Sequence, residues 1–425
     1  MKSIWTLATI LVLGLAATIP AEVLIKPNDP NINYYGRFDY SNSATTVPFN
    51  WPGSVIEASF PGPSIGVELN DGNGGYFNVE LDGALVDTLN TTTTTHRTIR
   101  TNLSTGSHTI RLTLRSNGTN CSFGGFYLAD GSVLSTPPVK PVRKIEFIGD
   151  SWTAGDVIGQ TTGTANLKYF NASLTYARRA SIAFHAQDIL VARGGAGLIK
   201  SQGGAATLPA RYPKTLCDGT ANWDFTSWTP DLAVIFLGIN DYTIGGVTDT
   251  NFRTTYRTFI NTVRGHYPNV PIILIGLAGS TLTNVQAVAT SFTGVTVFSS
   301  PITLANAKAL YQHPNQAQHQ QIADSLVSVV KRVMGWDTAA TVGIHAPQEG
   351  HEARARGDAV LKTSFDKIVF PVNFVGSNKE IIAYDYSGKS IRKWVTEKQT
   401  VFLAGDMHLP AGLYFLKTRV LGKSR

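Results

Sequence analysis

Four short stretches hold the residue types that acyl transfer needs. Residues 145–156, IEFIGDSWTAGD, run apolar Ile145, Phe147 and Ile148 into Gly149-Asp150-Ser151. Residues 191–200, VARGGAGLIK, offer Gly194, Gly195 and Gly197. LGIND, residues 237–241, puts Asn240 at the end of an apolar run, and YQHPNQAQHQQIAD supplies His313 just before Pro314. A serine hydroxyl attacks well only when a base removes its proton and donors stabilise the oxyanion that forms. His313, on a loop ahead of a helix, can be that base, and Asn240 can donate from its side chain. Glycine backbone N–H groups can approach a ligand closely. Each piece also has an ordinary reading: Gly-Asp-Ser recurs by chance, Asn-Asp forms turns, and a glycine cluster makes a flexible loop. His319 falls inside the helical pattern and reads as a surface residue. The order of the four pieces is the signal.

These pieces need a frame to bring them together. From residue 145, apolar strands (IEFI, 145–148; AVIFLGIN, 233–240; PIILIGLAG, 271–279) alternate with amphipathic helices. FRTTYRTFINTVRGHY sets Phe252, Tyr256, Phe259, Ile260 and Val263 on one face, and QAQHQQIADSLVSVVKRVM aligns Ile322, Leu326, Val329 and Val333. That alternation predicts an α/β domain over 143–336, its parallel sheet covered on both faces. Ligands bind such sheets at the carboxyl ends of the strands, where Ser151 and Asn240 fall.

Residues 30–138 have period two instead. Ile65, Val67 and Leu69, then Phe77, Val79 and Leu81, then Ile110, Leu112 and Leu114 each alternate with polar or small residues. Short strands between turn residues predict a β-sandwich of the jelly-roll kind. The proline-rich STPPVKPVRK (135–144) joins the two domains. Residues 337–360 lack any period and read as a linker, and 361–425 as a small β-rich module.

The chain has 425 residues, more than one core usually organises, with 43% hydrophobic and 15% charged residues. MKSIWTLATILVLGLAATIPAEV reads as a signal peptide cleaved after Ala21; an uncleaved anchor is the rival, although the apolar run is shorter than the ~20 residues a span requires. The protein is therefore expected to be secreted or held at the cell surface, with no membrane span after cleavage. Cys121 and Cys217 can pair in an oxidising compartment or stay reduced, and no C-x-x-C spacing exists. Sequons occur at Asn90, Asn102, Asn117, Asn120 and Asn171. Residues 351–425 carry 13 Lys/Arg and 7 Asp/Glu, which is +6 of the chain's +7 net charge. No basic patch interleaved with aromatics accompanies it, so nucleic acid is not expected as a partner.

The order Gly-Asp-Ser, glycine, Gly-x-Asn-Asp, then His-Pro before the final helix resembles the SGNH (GDSL-type) hydrolases over residues 145–335. YYGRFDYSN, FNWPGSVIEASFPGPSIGVELND and YFNVELDG are similar to the N-terminal jelly roll of carbohydrate esterase family 2, so the resemblance runs from about 33 to 335. It implies a secreted serine esterase of the acetyl xylan esterase kind. Such an enzyme removes O-acetyl groups from acetylated polysaccharide or oligosaccharide of the plant cell wall, with no cofactor and no metal. On this sequence it implies Ser151 as nucleophile and His313 as base. It implies an oxyanion hole of the Ser151 N–H, the Gly195 N–H and the Asn240 side chain, with Gly194 and Gly197 as neighbouring choices for the glycine.

One departure matters. The wider SGNH pattern has an Asp two or three residues before the histidine, where this chain has Tyr311 and Leu310. Family 2 enzymes use a Ser–His dyad whose imidazole a backbone carbonyl orients, so the resemblance survives the loss. A carbonyl accepting from Nδ1–H still fixes the tautomer, with less charge stabilisation than a carboxylate. The tail, through YDYSGKSIRKW and LPAGLYFLKTRV, resembles secretion-associated sorting modules and implies contact with export machinery. Two other functions stay open on the sequence: a non-catalytic carbohydrate-binding protein, and an SGNH esterase of other acyl esters.

Overall fold

The computed structural model describes residues 22–70, 74–90, 95–117 and 119–338, and beyond them the strand segments 362–364, 367–369, 378–384, 390–396, 400–402 and 415–422. The expected signal peptide (1–21) and most of the expected linker lie outside the described residues.

Ten strands build the first domain: β1 (Glu22–Ile25), β2 (Ile32–Tyr35), β3 (Val47–Phe49), β4 (Val55–Pro61), β5 (Ile65–Asn70), β6 (Tyr76–Leu81), β7 (Ala84–Asn90), β8 (Thr95–Arg100), β9 (Ser107–Leu114) and β10 (Cys121–Ala129). One sheet has the order β1-β10-β5-β8 with β3 also on β10; the other has the order β2-β4-β9-β6-β7. All pairings are antiparallel. The alternating apolar positions of β5, β6 and β9 face one shared core, in which Val67, Leu69, Phe77, Val79, Ile110 and Leu112 are buried together. Two antiparallel sheets over one core are the sandwich that period two requires.

The second domain is an α/β layer. Strands β11 (Arg143–Gly149), β12 (Ala186–Ala192), β13 (Leu232–Phe236), β14 (Ile272–Gly276) and β15 (Val295–Ser299) form a fully parallel sheet in the order β12-β11-β13-β14-β15. Helices α1 (Ser151–Ala154), α2 (Tyr176–Ala183), α3 (Leu208–Arg211), α4 (Ile239–Ile244), α5 (Asp249–His266), α6 (Ser280–Ala289) and α7 (Gln316–Met334) connect and cover it. The two faces of the sheet hold separate cores. One takes Phe252, Tyr256 and Ile260 of α5; the other takes Ile322 and Leu326 of α7. The chain leaves β11 for β12 on one side and returns to β13 on the other, so the strand order reverses between β11 and β13. That reversal opens a crevice at the carboxyl ends of these two strands.

The domains share a buried seam. Trp51 of the sandwich packs in the core on the α5 side of the hydrolase sheet. Arg37 Nη2 meets Glu146 Oε1 at 3.0 Å with both side chains fully buried, and the Tyr212 hydroxyl donates to Glu146 Oε2 at 2.9 Å. A charge in the middle of the apolar β11 is tolerable because the other domain supplies its partner.

Two sequence expectations change. The strand expected over 233–240 stops at Phe236, and Asn240 lies in the first turn of α4. His319 is buried rather than exposed: its Nδ1 accepts from Tyr176 N at 3.2 Å and its ring stacks on Tyr176. The sequon residues Asn117 and Asn171 are also buried and hydrogen-bonded, which leaves no room for a glycan. Cys121 and Cys217 are buried, and no disulfide joins them. In the tail, β16 (Lys362–Ser364), β17 (Lys367–Val369) and β20 (Thr400–Phe402) form one antiparallel sheet. A second joins β18 (Asn378–Tyr384), β19 (Ser390–Thr396) and β21 (Phe415–Gly422).

Candidate active site

Ser151 is the first residue of α1, two positions beyond the end of β11, and is buried. Asp150 caps that short helix, its Oδ1 accepting from Trp152 N at 3.0 Å. Burial pushes the Asp150 carboxyl up to about 7, against the pull of the Trp152 hydrogen bond.

Gly195 follows β12, with φ at 73°, a left-handed conformation in which a β-carbon is strained. Its carbonyl accepts from Gln202 N at 2.9 Å, so the loop closes on itself. The three candidate glycines differ in what their N–H groups do. The Gly194 N–H donates to Asn117 Oδ1 at 3.2 Å and the Gly197 N–H to Ser201 Oγ at 3.2 Å. Among the described residues, the N–H groups of Gly195 and Ser151 donate to nothing. Two uncommitted donors therefore stand at the ends of adjacent strands.

Asn240 is buried and links both neighbours. Its Nδ2 donates to Ala196 O at 3.0 Å and lies 3.5 Å from Asp150 Oδ2. The next residue, Asp241, is fully buried and accepts from three consecutive backbone N–H groups, Leu198 (2.8 Å), Ile199 (2.6 Å) and Lys200 (2.9 Å). That carboxylate fastens the glycine loop to the helix carrying Asn240. Sequence reading gave Asn240 a donor role but assigned Asp241 none; an acid at the opening of a helix, next to a candidate donor, was the available signal.

His313 stands between a short 3₁₀ turn (Leu310–Gln312) and the asparagine cap of α7. Tyr311 and Gln312 both have left-handed φ, 54° and 57°, which costs about 1–2 kcal/mol per residue for side chains of this kind. The kink folds two carbonyls back on the ring: Nδ1 lies 2.9 Å from Leu310 O and 3.0 Å from Tyr311 O. Both acceptors require a proton on Nδ1, so Nε2 is the basic nitrogen. Nε2 is buried and, among the described residues, has no hydrogen-bond partner. Burial holds the imidazole pKa below its ordinary value, outweighing the two carbonyls that favour the charged form. Leu310 N donates to Gln160 O at 2.7 Å, docking this loop on the segment that follows α1. The family resemblance implied one orienting carbonyl; here two carbonyl oxygens lie against Nδ1.

Comparisons with known proteins match the two-domain architecture. Residues 34–138 match the family model described as carbohydrate esterase 2 N-terminal, and 147–358 match the GDSL-like lipase/acylhydrolase family. The chain is 30% identical over 334 residues to the cellulase/esterase CelE of Acetivibrio thermocellus, covering 73% of this chain but only 40% of that protein. It is 28% identical over 330 residues to an acetylxylan esterase/glucomannan deacetylase of Cellvibrio japonicus, covering 73% of this chain and 91% of the relative. Among solved structures, a family two carbohydrate esterase from Clostridium thermocellum in complex with cellohexaose superposes with a TM-score of 0.68 at 29% identity, covering 72% of this chain and 99% of that one. One from Cellvibrio japonicus does so with a TM-score of 0.68 at 25% identity, covering 75% and 99%.

Proposed function

Because the chain belongs to carbohydrate esterase family 2, we propose that it is an esterase that removes O-acetyl groups from xylan or another hemicellulose of the plant cell wall. The observation that carries the reading is the His313 ring: Nδ1 occupied by two carbonyls, Nε2 buried, basic and, among the described residues, unpartnered. An imidazole so held serves as a proton acceptor for a hydroxyl brought to Nε2. In the proposed cycle Nε2 takes the Ser151 proton as Oγ attacks the acetyl carbonyl. The oxyanion then accepts from the Ser151 and Gly195 N–H groups and the Asn240 amide. Collapse expels the sugar hydroxyl, protonated by His313, and leaves acetyl on Ser151. Water activated by the same Nε2 releases acetate and restores the serine.

The polysaccharide class follows from the relatives' names, acetylxylan esterase and glucomannan deacetylase. Export of the protein, with the tail module serving secretion or surface retention, rests on the N-terminal sequence and on the tail's charge. No helix of the described residues is long and apolar enough to cross a membrane. The test is acetate release from acetylated xylan and acetylated glucomannan beside longer-chain acyl esters of 4-nitrophenol. Release from the polysaccharides with rejection of long chains is expected. A preference for long acyl chains would assign the site to other esters.

A further inference from the structure

The N-terminal sandwich reaches into the hydrolase loops through one side chain. Asn117 lies three residues beyond β9, is buried, and belongs to the sandwich by sequence. Its Nδ2 donates to Asp156 Oδ1, and its Oδ1 accepts from Gly194 N at 3.2 Å and Arg193 Nη1 at 3.1 Å. Asp156 stands five residues after Ser151, and its N–H is bonded to Ser151 O at 3.0 Å. Gly194 immediately precedes Gly195. The partners fix the orientation of the amide, since a flipped Asn117 would face two donors with its NH₂ group and a carboxyl oxygen with its own oxygen.

The fit around this amide is close. A β-carbon at Gly194 would come 2.1 Å from Asp156 Oδ2, so a side chain there would push the Asp156 carboxyl off its place beside Asn117. Arg193, whose N–H donates to Gly149 O at 3.2 Å, completes the cluster. The amide of Asn117 thus joins the loop after the serine to the loop bearing the uncommitted Gly195 N–H. Its acceptor role also keeps the neighbouring Gly194 N–H from competing for an incoming oxyanion.

We propose that Asn117 is a positioning residue for the oxyanion site, through which the sandwich domain sets the distance between the Ser151 and Gly195 donors. The proposal rests on the esterase reading above. Donors worth several powers of ten act only when placed within a fraction of an ångström of the developing charge. Losing the clamp therefore reduces kcat while substrate binding, made elsewhere, stays.

The test compares wild type, Asn117→Ala, Asn117→Asp and the exchange Asn117→Asp with Asp156→Asn, by acetate release and thermal melting. Asn117→Ala is expected to lower kcat by ~10- to 10²-fold with KM little changed. Asn117→Asp alone sets two carboxyls against each other and is expected to be at least as impaired. In the exchange, the carboxylate at 117 still accepts from Gly194 N and Arg193, while the amide at 156 donates back to it, so most of kcat should return. A role in stability alone would show kcat unchanged in the folded fraction of each single variant, which overturns the proposal. Failure of the exchange to recover any kcat, in a folded protein, overturns it as well. A wild type that releases no acetate overturns the esterase reading, and this inference with it.

Discussion

Replacing Asn240 with alanine removes one amide and little else, because residue 240 sits in the first turn of α4 and alanine is a good helix former. In the folded protein Nδ2 makes one sound hydrogen bond, to Ala196 O at 3.0 Å, and one contact at the limit of bonding, 3.5 Å from Asp150 Oδ2. The amide has two N–H groups, so one is committed and the other is held only weakly. Two separate effects follow. Ala196 O loses its donor in a buried place, which costs about 1–3 kcal/mol of stability. The transition state loses one preorganised donor, which is worth about 2.7–4 kcal/mol, or ~10²–10³-fold in kcat. Since the neutral ester carbonyl carries little charge to stabilise, KM should move far less than kcat. The assay is steady-state release of acetate and of 4-nitrophenol from its acetate, at a temperature where melting curves show the variant folded. Full kcat in the folded variant would refute the oxyanion assignment. A raised KM with unchanged kcat would make Asn240 a substrate-positioning residue instead.

Four further outcomes are expected. Because burial lowers the His313 pKa, and the base must be neutral to accept a proton, kcat/KM should rise with pH along an acid limb whose midpoint lies below the ordinary 6.5; a midpoint above it would contradict the assigned environment. His319→Ala should cost about 2–4 kcal/mol in urea unfolding, from a lost buried acceptor plus a cavity. Burial depresses the His319 pKa in the folded state, so its contribution is complete above about pH 6.5 and shrinks as acid protonates the unfolded chain first; a difference that grows on acidification would be the wrong sign. Ser151→Ala and His313→Ala should each be severe, and together no worse than the harsher one; additive losses would mean the two do not act as a unit. A chain ending at Gly335, the left-handed cap of α7, should fold and deacetylate like the full protein, while an inactive truncation would make the tail part of the hydrolase.

Much of this was legible in the sequence because the informative residues sit where periodicity breaks. Period two over β5, β6 and β9 gave the sandwich, and the apolar run ending at Gly149 marked a strand end that faces the crevice, while the run to Asn240 overran its strand, which stops at Phe236. What escaped has a common physical cause: pairings between distant segments leave no local pattern. Arg37 and Glu146 are 109 positions apart, and an acid inside an apolar strand does not name its partner. Asn117 carried the spacing of a sequon, which hid its contacts with Asp156 and Gly194. His319 shows the opposite failure. It lies three residues before Ile322 and seven before Leu326, on the buried face of α7, and the polar residue type was given more weight than the spacing. The orienting carbonyls of His313 were foreseen in kind, but two consecutive left-handed residues that are neither Gly nor Asn could not be read from Tyr311 and Gln312.

The most direct test of the central claim is acetate release from acetylated xylan by wild type and Ser151→Ala, measured side by side on folded protein. The wild type should release acetate, and the variant should be slower by ~10⁴-fold or more, since the covalent route is lost. A Ser151→Ala protein that releases acetate near the wild-type rate would show that the crevice at the end of β11 is not where the ester is cleaved.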